Sequence, residues 1–260
     1  MSDFYKGRRT RNIYEPGSSS LFKISRSKIE LFTNCPRCFY IDVRLGVGQP
    51  PGFPFNLNSA VDILLKKEFD LHRAANTAHP LMENYGVDAV PYQHPRLDEW
   101  RDTFKGISYH HPELNFHLYG GVDDVWVSPA GELIIVDYKA TSKDSEVNID
   151  AEWQSSYKRQ MEIYQWLFRR NEFIVSPTGY FVYCNGKRDR QAFDGKLEFD
   201  VKIIPYIGDD SWIEGTIHDM KATLETSAVP EPGRSCDFCT YRRDARDVLT
   251  ENAQRKKSSE

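Results

Sequence analysis

Two acidic residues and a lysine stand in the segment GGVDDVWVSPAGELIIVDYKATSK, which runs from Gly120 to Lys143. Asp123 precedes one β-branched and aromatic run, and Asp137 and Lys139 close another. Ser128-Pro129-Ala130-Gly131 between the runs is turn chemistry. The spacing predicts a β-hairpin centred on Ala130, with Asp123 opposite Asp137. Directly opposed residues bring their Cβ atoms to about 4.5–5.5 Å. Two carboxylates that close repel unless a cation sits between them. Carboxylate and carbonyl oxygens are hard ligands that suit Mg²⁺ or Mn²⁺. On the second strand Asp137 and Lys139 share a face while Tyr138 points the other way. A lysine so placed can orient an attacking water or stabilise charge on a scissile phosphate. The bland alternative is a solvated face with an Asp–Lys pair worth under about 1 kcal/mol. The apolar stretch Leu133–Val136 weighs against it, because it buries the strand that carries the charges.

Four of the five cysteines form two C-x2-C pairs, Cys35-Pro-Arg-Cys38 and Cys236-Asp-Phe-Cys239, at opposite ends of the chain. The pairs point to one four-thiolate metal site that joins the termini. Zinc and an iron–sulfur cluster both accept four thiolates, and spacing does not separate them. Cys184 lies in a strand and reads as a buried apolar residue.

The positioning elements follow from periodicity. A capping pattern at Ser27 and Glu30 starts a helix towards Leu45, strained at Pro36. Ala60 to Ala75 is a helix with Val61, Leu64, Leu65 and Phe69 on one side. His117–Val127 and Glu132–Ala140 form the hairpin. Asp150 is placed to cap a helix over Glu152–Arg170, with Trp153, Tyr157, Met161, Tyr164 and Phe168 near one face. Strands over Thr178–Cys184 and Leu197–Tyr206 turn at Asn185–Gly186, and a helix over Ser211–Glu225 follows. This is an α/β pattern in one domain over residues 23–246. A flexible polar arm, 1–22, precedes it and a polar tail, 247–260, follows.

Composition narrows the function classes. The 260 residues are 40% hydrophobic and 28% charged, so the chain has a core to bury and is not disordered. Lys and Arg total 34 against 38 acidic residues, a formal net charge of −4. That excludes a polycationic coat and leaves room for a local basic groove. Candidates are Lys6–Arg11, Arg169–Arg170, Lys187–Arg190 and Arg242–Arg243, with Trp126, Trp153 and Trp166 available to stack bases. No apolar run is long enough to span a membrane and no apolar leader follows the basic N-terminus. A cytoplasmic location with no membrane partner is expected.

Asp123 followed by Asp137-Tyr138-Lys139 resembles the signature of PD-(D/E)XK nucleases, in their RecB-like branch. Gly120-Gly121 ahead of the first Asp, and Gln160-Met161-Glu162-Ile163-Tyr164 on the next helix, match that branch's glycine and Q-x-x-x-Y motifs. The resemblance implies a restriction-endonuclease-like fold, a mixed central sheet flanked by helices. It implies DNA cleavage with Mg²⁺ or Mn²⁺ held by Asp123, Asp137 and the Tyr138 carbonyl. Lys139 would then be catalytic, and Gln160 and Tyr164 would shape the site. Asp62 stands where the branch usually has a metal-binding His, with Glu68 and His72 as alternatives on the same helix. Relatives in AddB-type helicase–nucleases and CRISPR adaptation hold a [4Fe–4S] cluster on one N-terminal and three C-terminal cysteines. Here the third C-terminal position is Ala245, so Cys35, Cys38, Cys236 and Cys239 would bind two plus two, around [4Fe–4S] or Zn²⁺. The expected partner is DNA, single-stranded or at strand ends. A helicase or other DNA-processing partner would be a separate chain, since no P-loop is present. The competing reading is a catalytically inactive nuclease-fold module that binds nucleic acid or scaffolds a partner.

Overall fold

The computed structural model describes residues 7–52 and 54–258. The chain divides into two compact units. One comprises the described residues of Met1–Phe22, Ser27–Gly52 and Gly215–Glu260, the other those of Lys23–Arg26 and Phe53–Glu214. Two short segments open the element order, β1 (Phe22–Ser25) and α1 (Arg26–Asn34), followed by α2 (Pro36–Val43). The helix expected to run on to Leu45 therefore breaks at Cys35. Pro36 has no N–H to give and sits at the first helical position of α2, where none is needed.

The larger unit is built on a five-stranded mixed sheet. Helix α3 (Asn56–Ala75) leads through α4 (Pro80–Asn84), β2 (Val90–Pro91), α5 (Leu97–Arg101), β3 (Ile107–His111) and β4 (Phe116–Gly120) to the hairpin β5 (Asp124–Val127) and β6 (Leu133–Thr141). After a 3₁₀ turn at Glu152–Gln154 come α6 (Ser155–Arg170), β7 (Thr178–Gly186) and β8 (Phe199–Ile207). The sheet order is β2-β5-β6-β7-β8, with β6 and β7 parallel and the other pairs antiparallel. β6 is buried on both faces, as central strands next to a parallel neighbour are. Ile134, Val136 and Tyr138 pack with Leu65 and Phe69 of α3, and the alternate positions turn to the side of α6.

A second sheet, β1-β4-β3, splits what reads as one strand over His117–Val127. The split has a physical cause at residues 121–123. Val122 N–H donates to the Trp100 carbonyl rather than to a strand, and a Cβ at Gly121 would stand 3.0 Å from the Asp102 carbonyl oxygen. Two sequence expectations fail on exposure. Leu64 and Trp153 face solvent at 62% and 61%, because α3 uses Val61, Leu65 and Phe69 and the 3₁₀ turn rotates Trp153 off the α6 face. Asp150 does not cap α6; Gln154 instead accepts from the Ala151 N–H.

The smaller unit contains α1 beyond Arg26, α2, the Gly215–Glu225 part of α7 (Ser211–Glu225), and α8 (Asp237–Ser258). Part of the stretch expected to be a flexible arm is packed here. Tyr14 is buried, its N–H donates to Val43 and its hydroxyl meets Glu225. Asp42 is buried between Arg9 and Lys28. The expected polar tail is helical through Ser258, as the outer turns of α8.

Candidate functional site

Asp124 pairs with Val136 and Val127 with Leu133, so the hairpin register is the one its turn predicts. Asp123 stands one residue beyond the ladder. Its Oδ2 accepts from Tyr138 N–H at 2.9 Å, which fixes its carboxylate beside the D-x-K strand. Asp137 is fully buried, and apart from the Lys139 ammonium its carboxylate has no hydrogen-bond donor among the described residues. Lys139 Nζ forms an ion pair with Asp137 Oδ2. Burial, and then the neighbouring Asp123, push the Asp137 carboxyl up, against the pull of Lys139. A buried carboxylate with unused lone pairs is costly. Its chemistry, with Asp123 beside it, fits a divalent cation between them.

Lys139 is almost enclosed. Burial lowers its pKa, but Asp137 and Asp123 more than offset this, and the net shift is upward. The group is therefore an ammonium, suited to hold an anion or a water rather than to take a proton. Its Nζ lies 3.3 Å from Gln160 Oε1 and 4.5 Å from the centre of the Tyr157 ring. Gln160 Nε2 in turn donates to the Tyr164 hydroxyl at 3.3 Å. The i, i+4 spacing of Gln160 and Tyr164 on α6 makes this chain continuous. A Cβ on Gly120 would come 2.7 Å from Tyr164 Cε1, so glycine ahead of Asp123 is a packing requirement.

Asp62, on α3, completes the acidic group. Its pKa is raised by burial and then by Asp123, against Lys66. Lys66 Nζ sits 2.8 Å from Asp62 Oδ2 and 3.6 Å from Asp123 Oδ1. A cleft of about 160 Å³ opens here between Asp62, Tyr138, Lys139 and Tyr157. Glu68 and His72 turn elsewhere: Glu68 Oε1 is 2.9 Å from His79 Nε2, and His72 Nδ1 is 3.3 Å from Thr77 Oγ1.

The four cysteines converge in the smaller unit. Cys38 Sγ lies 3.6 Å from both Cys236 and Cys239, Cys35 Sγ lies 3.7 Å from Cys239, and all four sulfurs fall within 4.8 Å of one another. Cys35 caps α2 and accepts from the N–H groups of Cys38 at 3.4 Å and Gly233 at 3.2 Å. Burial raises its pKa, yet these donors bring it down to about 7. Burial pushes the Cys38 thiol far up and Cys239 to about 11. Four thiols gathered this closely are a donor set that accommodates a metal. Cys184 is apart from it, buried in the core of the larger unit, where burial raises its thiol to about 11.

Residues 23–243 match the PD-(D/E)XK nuclease superfamily. The chain belongs to that superfamily. No curated protein matches it. Nine solved chains do; one, titled "Crystal structure of SSO0001", is 16% identical, with a TM-score of 0.42 over 83% of this chain and 82% of that one.

Sequence reasoning missed the support under this nuclease-superfamily site. Asp124, fully buried, accepts from Arg73 at 2.5 Å, from Arg101 at 2.9 Å and from the Tyr138 hydroxyl at 2.8 Å. Arg101 also donates to the Asp123 carbonyl at 3.1 Å and, like Arg73, pairs with Asp70. The doublet Asp123-Asp124 was the available signal, since strand alternation sends the two carboxylates to opposite faces. Of the basic runs, Arg169 and Arg170 are paired with Asp210 and Glu214. Lys187, Arg188 and Arg190 pair with Asp200, Asp144 and Glu198. Lys6 lies outside the described residues. Trp126 and Trp166 are buried core, so neither is open to a base. No helix among the described residues is long and apolar enough to cross a membrane.

Proposed function

We propose that this chain is a Mg²⁺- or Mn²⁺-dependent deoxyribonuclease of the RecB-like branch. The observation that carries the reading is Asp137, fully buried beside Asp123 with only the Lys139 ammonium against its carboxylate among the described residues. Asp123, Asp137, Asp62 and the Tyr138 carbonyl would hold the metal, which when bound would supply an activated water and charge neutralisation at the phosphate. Lys139 would hold the attacking water or a non-bridging phosphate oxygen. Gln160 would fix the Lys139 ammonium, and the buried Tyr164 would fix Gln160. DNA is the proposed substrate, with single strands or strand ends preferred and any unwinding left to a separate helicase chain.

For the thiolates, the separations support one tetrahedral ion over the [4Fe–4S] core that the resemblance implies. Zn–S bonds of about 2.3 Å put tetrahedrally arranged sulfurs about 3.8 Å apart, against 3.6 and 3.7 Å for three of the six pairs and no more than 4.8 Å for any. Four iron atoms between the thiolates would require them to move apart. Zinc is the ion proposed.

The test of the activity is cleavage of single- and double-stranded DNA in Mg²⁺ and in Mn²⁺ by the wild type, Asp123→Ala and Lys139→Ala. Loss in both variants is expected, and equal cleavage by all three overturns the assignment. DNA binding with no cleavage by any of them would instead mean an inactive nuclease-fold module. For the thiolates, anaerobic purification is expected to give colourless protein with one zinc per chain. A brown sample with four irons overturns that part.

A further inference from the structure

The smaller unit carries a second feature that the catalytic site does not use. An open groove of about 990 Å³ runs along α8 beside Cys239. Its lining includes Arg37, Arg234, Arg242, Arg243 and Arg246, and no acidic side chain. Five guanidiniums facing one space repel, and such a surface is stable only in solvent or against an anion. Three of them have acidic neighbours outside the groove: Arg37 with Glu231 at 3.3 Å, Arg243 with Asp244 at 2.9 Å and Arg246 with Asp247 at 3.0 Å. All three acids are exposed, so these are weak surface pairs that a stronger anion can displace. Arg234 and Arg242 are exposed, and their side chains make no ion pair or hydrogen bond among the described residues. Tyr241 stands in the same groove and is 75% exposed.

We propose that this groove binds the phosphate backbone of a single DNA strand. It would be a nucleic-acid contact separate from the residues that do the chemistry. The proposal rests on the reading of the chain as a DNA-processing protein, and three features of the groove favour this occupant. Guanidiniums take phosphate oxygens bidentately. An exposed tyrosine among them offers a stacking face to unpaired bases, which a duplex hides. The thiolate centre sets the spacing, because Arg37 lies between Cys35 and Cys38 while Arg234 and Arg242 flank Cys236 and Cys239. An ion held by the four sulfurs would therefore hold the guanidiniums of two distant segments together.

The experiment measures binding of a fluorescent 20-nucleotide single strand to the full chain carrying Lys139→Ala, against salt concentration. Arg234→Gln with Arg242→Gln is compared with Arg234→Lys with Arg242→Lys. The Gln pair is expected to weaken binding about tenfold at low salt, and to flatten the salt slope by about 1.4, that is about 0.7 per lost contact. The Lys pair should keep most of the slope. In otherwise wild-type chain, the Gln pair should leave hydrolysis of a small phosphodiester, bis(p-nitrophenyl) phosphate, unchanged. Unaltered affinity and slope in the Gln pair overturn the proposal, as does equal binding of a poly-glutamate peptide. Binding does not require turnover, so failure of the nuclease reading would show separately, as absence of hydrolysis in every variant.

Discussion

The Tyr138 hydroxyl donates to Asp124 Oδ2 at 2.8 Å, on the face of the hairpin opposite the candidate metal ligands. Through this bond the middle residue of the D-x-K motif anchors its strand to a buried carboxylate that Arg73 and Arg101 also hold. The two partners are not equal. Tyr138→Phe removes one bond to a charged acceptor and is expected to cost about 1.5–3 kcal/mol. Asp124→Ala removes the buried carboxylate shared by Arg73 and Arg101, leaving them the more exposed Asp70 as acidic partner, and is expected to cost about 3–5 kcal/mol. Urea unfolding of the two variants checks the order; equal costs would mean that Asp70 alone suffices for both guanidiniums.

Lys66 occupies the space between Asp62 and Asp123, where a cation is already welcome. A divalent ion on these carboxylates must displace or tolerate that ammonium. Lys66→Met is therefore expected to tighten Mn²⁺ binding, about tenfold, measured by calorimetric titration. Weaker binding would mean instead that Lys66 holds the two acids in position for the metal.

The hairpin and its site were legible because their information is local. Turn residues set the register, strand period separates Asp137 and Lys139 from Tyr138, and helix period joins Gln160 to Tyr164. The support was not legible for the opposite reason. Arg73 and Arg101 lie on separate helices, α3 and α5, and reach Asp124 only through tertiary packing, to which no periodicity points. The break between β4 and β5 was also hidden, since Gly120 and Gly121 read as a motif and not as the point where one sheet gives way to another. Tyr14 shows the limit of polarity as a guide. Its stretch is rich in charge and glycine, yet Arg9 folds back on Asp42 and Tyr14 on Glu225.

Glu225 provides a pH test of that packing. Hydrogen bonds from Tyr14 and then Lys221 hold its carboxyl down at about 2, below its ordinary 4.5. A depressed carboxyl adds stability above its unfolded pKa, and that stability is lost as pH falls through the folded value. The extra stability of wild type over Glu225→Gln should therefore be complete at pH 7, then decline from about pH 4.5 towards pH 2. Since the side chain is 36% exposed, solvent screening reduces the expected difference to about 1 kcal/mol. Chemical unfolding across that window measures it; a gap that does not change with pH would mean that the Glu225 charge contributes nothing.

Gly233 links backbone geometry to the thiolates. A Cβ there would stand 2.0 Å from the Asn34 carbonyl oxygen and 3.2 Å from Cys35 Cα. Both are backbone atoms, which cannot swing aside as a side chain would. Gly233 N–H also donates to Cys35 Sγ at 3.2 Å, so any shift of residue 233 opens the sulfur cluster and removes a donor from a thiolate. Gly233→Ala is expected to lower bound metal below one equivalent per chain and to depress the thermal midpoint. Gly215→Ala is the matched control, because it lies exposed in a helix with nothing within 4 Å of the added methyl. That change should raise stability by about 1 kcal/mol through helix propensity alone. Elemental analysis and thermal melts of both proteins give the comparison. Full metal content in Gly233→Ala would show that the two segments bearing the cysteines can separate by more than an ångström without losing the ion.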